Sequence, residues 1–123
     1  MEEELYREVI LEHYKHPHNA GRLEGADFSR KELNPSCGDA VELFVAMGQD
    51  GRVSEVKFDG TGCAISQASA SMLTDRIKGM TMDELRALKQ DDVFSMLEVP
   101  LGAGRIRCAL LSLKTLHKAI EKN

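Results

Sequence analysis

The sequence lacks any apolar stretch of the roughly 20 residues needed to cross a bilayer, and its first residues are acidic where a secretory signal is basic. It also lacks an excess of positive charge. The formal net charge is −4 at pH 7, which gives no electrostatic capture of a phosphate backbone. Repeats and low-complexity stretches are missing as well. These absences argue against membrane and nucleic-acid partners and predict a globular protein of the cytoplasm.

Cysteine is scarce and odd in number. The three residues Cys37, Cys63 and Cys108 cannot all be paired within one chain, and a reducing compartment disfavours disulfides. We therefore expect reduced thiols or ligands at these positions. Because unbridged cysteine is among the most buried residue types, burial in the core is the alternative for each of them.

The first half of the chain shows the patterns of one helix and three strands. Apolar residues at helical spacing predict a first helix that ends before Pro17. Alternation of apolar and polar residues predicts three strands, at residues 26–33, 41–47 and 53–58. At 123 residues the chain fits one domain, residues 1–123.

The second half is helical. A helix follows the third strand and stops at Gly79, and the capping-box pair Thr81 and Glu84 predicts a short helix after it. Asp91 is expected to cap another short turn. A long last helix is predicted to start at 103–106, with one apolar face made of Ile106, Ala109, Leu110, Leu113, Leu116 and Ile120. The order predicts an α+β fold, a three-stranded antiparallel sheet with helices packed on one face.

All three cysteines fall at the ends of predicted elements. Cys37 lies in a loop before the second strand, Cys63 at a strand-to-helix junction, and Cys108 in the first turns of the last helix. The thiolate is the reactive and metal-binding form, and helix N-termini and nearby cations favour it. Arg105 and Arg107 add positive charge beside Cys108, and Arg107 is predicted to stabilise a thiolate or persulfide. The alternative for both arginines is a solvated helix start.

Asp39 follows Cys37 by two residues and can supply a fourth ligand. Three thiolates and one carboxylate suit a tetrahedral metal ion or an iron–sulfur cluster. Because a hard carboxylate holds a cluster less firmly than a fourth cysteine, such a site is suited to release its cargo. The spacing matches no compact zinc motif, and an Asx turn or strand-entry cap is the alternative for Asp39.

The histidines near the end of the first helix, His13, His16 and His18, form the other group of possible ligands. A polar helix end with favourable contacts to the helix dipole explains them better than a metal patch. No metal is therefore predicted at these histidines.

Four segments resemble the U-type scaffold family of iron–sulfur cluster assembly, which includes IscU, SufU and the N-terminal domain of NifU. They span nearly the whole chain and occur in the family's order: residues 5–21, 34–39, 60–71 and 105–108. The resemblance implies a protein that accepts sulfur from a cysteine desulfurase. In one branch it also implies assembly of a transient [2Fe-2S] cluster for transfer to apo iron–sulfur proteins.

The resemblance also implies the site. Cys37, Asp39, Cys63 and Cys108 match the family's ligands for the cluster, or for Zn²⁺ at the same place. The cysteine matching Cys108 accepts the persulfide in the IscU branch, whereas Cys37 holds the sulfur-accepting position of the SufU branch. Both are therefore candidate acceptors.

The sequence does not decide between the IscU and SufU branches. Arg107 replaces the histidine of the IscU branch and residues 68–71 look like SufU, but the stretch between Cys63 and Cys108 is too short for the extra SufU segment. Residues 99–104 occupy the place of the proline-rich chaperone-recognition segment of IscU, so a dedicated Hsp70-type partner is not predicted. Three functions remain: a cluster scaffold, a zinc-dependent sulfurtransferase that activates a desulfurase and relays persulfide sulfur, or a structural zinc domain used for docking.

Overall fold

A computed structural model describes residues 2–34, 38–98 and 103–121 of the chain, and only the backbone of residues 2–7, 103 and 104. The elements in chain order are α1 (Glu2–Lys15), β1 (Phe28–Asn34), β2 (Asp39–Met47), β3 (Val53–Thr61), α2 (Ala64–Ile77), α3 (Met82–Ala87), α4 (Gln90–Leu97) and α5 (Ala103–Ile120). The predicted α+β architecture, with an N-terminal helix and a long C-terminal helix, is confirmed.

The sheet is antiparallel in the order β1-β2-β3. Both hairpin strands extend beyond their predicted ends, because Ala40 pairs with Thr61 and continues the ladder to the start of β2. Val41, Leu43 and Val45 alternate along β2 and are fully buried. They form the inner face of the sheet, on which the helices pack.

α2 is the central helix and is rich in small buried residues. Ala68 and Ala70 are fully buried, and small side chains of this kind let neighbouring helices approach closely. Ser69 Oγ donates a 2.6 Å hydrogen bond to Ala109 O, which ties α2 to the second turn of α5. The start of α2 and the start of α5 are thereby held together.

Of the two short-helix starts predicted in the second half of the chain, one is confirmed and one is wrong. The capping box of α3 is confirmed, since Thr81 N donates to Glu84 Oε1 at 2.9 Å and Glu84 N donates to Thr81 Oγ1 at 3.2 Å. The cap expected at Asp91 is wrong. The N-cap of α4 is Lys89, two residues before Asp91, and Asp92 accepts from the backbone N–H of Lys89 at 2.7 Å.

The predicted apolar face of α5 is confirmed at its buried members Ala109, Leu113, Leu116 and Ile120, but not at Ile106. Ile106 is 37% exposed, whereas Leu111 and the small residue Ser112 are buried. The buried stripe faces both α2 and the sheet, so small polar residues are accepted on it while Ile106 lies outside it. Among the described helices, none combines the length and the apolar character that a membrane span requires.

Candidate metal and sulfur site

Asp39 is the first residue of β2 and lies where the sheet meets α2. The pairing of Ala40 with Thr61 places Asp39 beside the junction that leads from β3 into α2. Its side chain is only 1% exposed, and Oδ1 accepts a 2.9 Å hydrogen bond from the backbone N–H of Cys63. The carboxylate thus occupies a fixed position, because a buried carboxylate without such a bond is costly.

Gly62 has no side chain, which allows the Asp39 carboxylate to lie beside the backbone of Cys63. Its φ is +139°, and a Cβ at this position would lie 2.1 Å from Asp39 Oδ1. Any side chain would therefore collide with the carboxylate as well as strain the backbone. The glycine before Cys63 is required by the packing of Asp39.

Cys63 occupies the N-cap position of α2 in extended conformation, and its side chain makes no capping hydrogen bond. Its Sγ lies 3.8 Å from Asp39 Oδ2 and is partly exposed. The two oxygens of Asp39 therefore have different roles: Oδ1 binds the backbone of Cys63, and Oδ2 faces its sulfur. The first turn of α2 contains no acidic residue that would compete for a cation.

Cys108 lies in the second turn of α5 and is 2% exposed. The ligand atoms of Asp39, Cys63 and Cys108 all lie within 4.8 Å of one another. The structure therefore brings together one residue from the sheet and one from each of two helices, although they are distant in the chain. Cys108 is buried, as the alternative interpretation of the cysteines expected, but it is buried beside the other two residues.

Within the described residues, the structure does not bring the other predicted site residues into this group. Cys37 lies outside the described residues. Arg107 is exposed on α5 and lines a surface depression together with Asn34 and Lys114. Asn34 ends β1 and pairs with Asp39, so this depression adjoins the strand that leads into the Cys37 segment. Arg105 is also exposed.

Gln67 lies beside the site and was not predicted from the sequence. It follows Cys63 by one helical turn, so both lie on the same side of α2. Its Nε2 is buried and has no hydrogen-bond partner within the described ranges. A Cβ at Gly60 would lie 3.3 Å from this nitrogen, so the amide lies against the end of β3 that leads to Cys63. The sequence signal that could have identified Gln67 is a glutamine on the predicted buried side of α2.

The three grouped residues form a donor set of two sulfurs and one carboxylate oxygen. Thiolates favour zinc and iron–sulfur clusters over magnesium or calcium, and a carboxylate is an accepted zinc ligand. Because Asp39 starts β2, Cys63 caps α2 and Cys108 lies in the second turn of α5, the three groups are held by packed elements and need little rearrangement to share one ion. The chemistry of the donor set therefore fits a metal ion of this class.

Known proteins match this chain over nearly its whole length. The family model of the NifU-like N-terminal domain matches residues 5–123. The chain belongs to the NifU-like N-terminal domain family. Zinc-dependent sulfurtransferase SufU of Bacillus subtilis is 37% identical over 135 residues, which cover 96% of this chain and 90% of that protein. The iron–sulfur cluster assembly scaffold protein IscU of Escherichia coli K12 is 31% identical, with 94% of this chain and 91% of that protein covered.

Solved structures of NifU-like proteins have the same fold. The SUF-system scaffold protein SufU of Fervidobacterium islandicum superposes with a TM-score of 0.81 at 29% identity, covering 93% of this chain and 95% of that one. The N-terminal part of a NifU-like protein of Brucella abortus gives a TM-score of 0.76 at 26% identity, with 96% and 93% covered. The resemblance to IscU and SufU is thereby confirmed, and this NifU-like domain is a member of the iron–sulfur cluster assembly scaffold family.

Proposed function

We propose that this NifU-like protein accepts sulfur from a cysteine desulfurase and assembles a transient [2Fe-2S] cluster for transfer to apo-proteins. Cys37, Asp39, Cys63 and Cys108 are its proposed ligands. The observation that carries the proposal is the grouping of Asp39, Cys63 and Cys108 within 4.8 Å. Cys37 is two residues from Asp39, so covalent geometry keeps its Cα within about 7 Å of the Asp39 Cα.

Asp39 is the proposed releasable ligand. Its Oδ1 accepts from Cys63 N–H and its Oδ2 faces Cys63 Sγ at 3.8 Å, so Oδ2 is the oxygen placed to share a cluster iron with Cys63. A carboxylate oxygen is a harder ligand than a thiolate and holds a cluster less firmly. One ligand of this kind among three thiolates supports a role in transient binding.

Sulfur enters by thiol exchange. A thiolate of the acceptor cysteine attacks the outer sulfur of the desulfurase persulfide, a new S–S bond forms on the acceptor, and the desulfurase cysteine leaves as its thiolate. Cys37 and Cys108 are the proposed acceptors. Because Cys108 is 2% exposed, acceptance there requires α5 or its surroundings to open toward the desulfurase.

Arg107 is the proposed electrostatic aid to this step. It is adjacent to Cys108 and exposed on the first turns of α5, so its guanidinium can approach an incoming persulfide. We expect Arg107→Ala to lower the rate of persulfide formation roughly threefold to tenfold, since a partly exposed charge contact contributes about 1 kcal/mol. The rate is measured by mass spectrometry after mixing with a desulfurase and cysteine.

Lys118→Ala is the matched control, because Lys118 is an exposed cation in the last turn of the same helix, ten residues beyond Cys108. It should leave the rate within about twofold of the wild type. Equal rates in the Arg107→Ala variant and the wild type would contradict the role of Arg107. Far-UV circular dichroism of both variants establishes that the fold is unchanged.

A second candidate function is zinc-dependent sulfur transfer, in which the same residues hold Zn²⁺ and the protein activates a desulfurase. The observation that favours it is the 37% identity to SufU. The similarity alone does not separate the two functions, because scaffold proteins named IscU are 31–35% identical over most of this chain.

Anaerobic reconstitution distinguishes the two functions. The protein is mixed with ferrous iron, cysteine and a desulfurase, and absorption, bound metal and desulfurase turnover are recorded together. A visible iron–sulfur chromophore that moves to an added apo-ferredoxin supports the scaffold. Retained zinc with faster desulfurase turnover and no chromophore supports the sulfurtransferase, and the absence of both results would contradict both functions.

A further inference from the structure

A second group of ligand-type side chains lies at the opposite end of α2. His13 is near the end of α1, His18 is in the segment that follows, and Asp75 is in the last turn of α2. The ligand atoms of these three residues lie within 4.8 Å of one another. Asp75 follows Cys63 by twelve residues, which separates this group from the thiolate site by about 18 Å along α2.

The sequence alone favoured a polar helix end for these histidines, and Asp75, 57 residues from His18 along the chain, was not grouped with them. Packing of α1 against α2 brings the carboxylate to them. The His18 Nδ1 and Asp75 Oδ2 atoms are 2.5 Å apart, and the rings of His13 and His18 have centroids 4.3 Å apart. Two imidazoles and a carboxylate thus face one another at the surface.

A metal-binding histidine usually makes a hydrogen bond with the ring nitrogen that does not bind the metal, and His13 has such a contact. Its Nδ1 lies 2.7 Å from Ser71 Oγ, and the same oxygen accepts a 2.8 Å hydrogen bond from His18 N–H. If Nδ1–H donates to Ser71, the Nε2 lone pair of His13 is left for a metal ion. A single serine therefore orients one histidine ring and the backbone of the other.

The carboxylate is oriented in the same manner. Asn19 Nδ2 donates to Asp75 Oδ1 at 2.9 Å, while Oδ2 faces His18. Burial lowers the pKa of His13, with nearby His18 acting in the same direction and Asp75 and Glu12 against it. The ligands are therefore held by groups that are not themselves ligands, as is usual at protein metal sites.

We propose that His13, His18 and Asp75 form a second metal site, which takes a divalent first-row transition metal ion such as Zn²⁺, Co²⁺ or Fe²⁺. Imidazole nitrogens with a carboxylate oxygen suit these ions, whereas magnesium and calcium prefer oxygen ligands alone. The bound ion replaces the proton shared by His18 and Asp75 and joins α1, the segment after it and α2. This site uses no cysteine and does not depend on the function proposed for the thiolate site.

Titration of the whole protein with Co²⁺ tests the site. Thiolate ligands give Co²⁺ a strong charge-transfer band in the near ultraviolet, and histidine and carboxylate ligands do not. We expect wild-type protein to bind one Co²⁺ that adds no such band. His18→Gln and Asp75→Asn should each weaken binding of this ion roughly tenfold or more, as loss of an outer contact alone costs that much.

His16→Gln is the matched control, because His16 is an exposed histidine between the two proposed ligands in sequence and is not part of the group. It should bind Co²⁺ like the wild type. Equal affinity in all four proteins would overturn the proposal, and so would a loss of binding accompanied by loss of the thiolate band. Far-UV circular dichroism identifies a variant that fails to fold.

A measurement on the wild type alone avoids the question of folding. Co²⁺ is paramagnetic, so it broadens the NMR signals of rings that bind it. The first equivalent fills the thiolate site and shows its charge-transfer band. With the next equivalent, we expect the ring signals of His13 and His18 to broaden far more than that of His117. Uniform broadening of all four histidines, or none, would contradict the site.

Discussion

Serine in place of Cys63 is expected to weaken Zn²⁺ binding by at least about a hundredfold, because removal of a coordinating thiolate must exceed the 10–100-fold loss typical of outer-contact variants. The same substitution should leave the metal-free fold intact. Cys63 is the N-cap of α2 and makes no capping hydrogen bond, whereas serine is a preferred N-cap residue. Affinity is measured by competition with a chromophoric chelator in a His18→Gln background, which removes the proposed second site, and stability by urea unfolding of the metal-free protein.

Ser66→Ala is the control for this substitution. Ser66 lies in the first turn of α2, and its hydroxyl donates to Cys63 O at 3.2 Å. Its removal changes the same helix end and takes away no proposed ligand, so Zn²⁺ affinity should stay within a few-fold of the wild type. Cys63→Ser protein that binds Zn²⁺ as tightly as the wild type would show that Cys63 is not a ligand.

Local patterns predicted the elements of the fold because each one is set by neighbouring residues. The alternation of Val41, Leu43 and Val45 specifies a strand with one buried face, and all three side chains are fully buried. The capping box at Thr81 and Glu84 depends only on residues of one helical turn and is present as predicted. Signals of this kind need no knowledge of the tertiary structure.

Predictions went wrong where a distant element decides the outcome. Ile106 fits the apolar period of α5, but the direction of that face is set by packing against α2 and the sheet, and Ile106 lies outside it. The N-cap of α4 is Lys89 and not Asp91, so the helix starts two residues earlier than predicted, and Asp92 accepts from the Lys89 N–H. Both errors are shifts of position within elements that were themselves predicted.

The two sites also divide into features that local sequence predicts and features that depend on distant elements. The residues of the thiolate site were named from sequence motifs, and three of the four lie together in the described part of the chain. The motifs gave no means of seeing that Asp39 uses one oxygen to bind the backbone of Cys63, because that contact depends on strand register. Asp75 and Gln67 were missed since neither stands in a recognisable ligand spacing, and only the packing of α2 gives them neighbours.

The strand register also places Asp39 against Gly62, so we expect this glycine to be important for stability. Gly62→Ala is expected to lower the free energy of unfolding by about 4 kcal/mol, a large share of the 5–15 kcal/mol typical of a domain. Backbone strain at φ +139° contributes about 1–3 kcal/mol, and the collision of the new Cβ with Asp39 Oδ1, 2.1 Å away, contributes a similar amount. Because Asp39 must move, Zn²⁺ affinity should fall as well.

Gly21→Ala separates these two causes. Gly21 has a similar φ of +130°, but no described atom lies within 4 Å of the position that a Cβ would occupy there, so only the backbone strain remains. We expect this variant to lose about 1–3 kcal/mol and to keep its Zn²⁺ affinity. Urea unfolding of the two metal-free variants and the wild type measures the difference. If Gly62→Ala were no less stable than Gly21→Ala and bound Zn²⁺ equally well, the close contact between Gly62 and Asp39 could not be what positions the carboxylate.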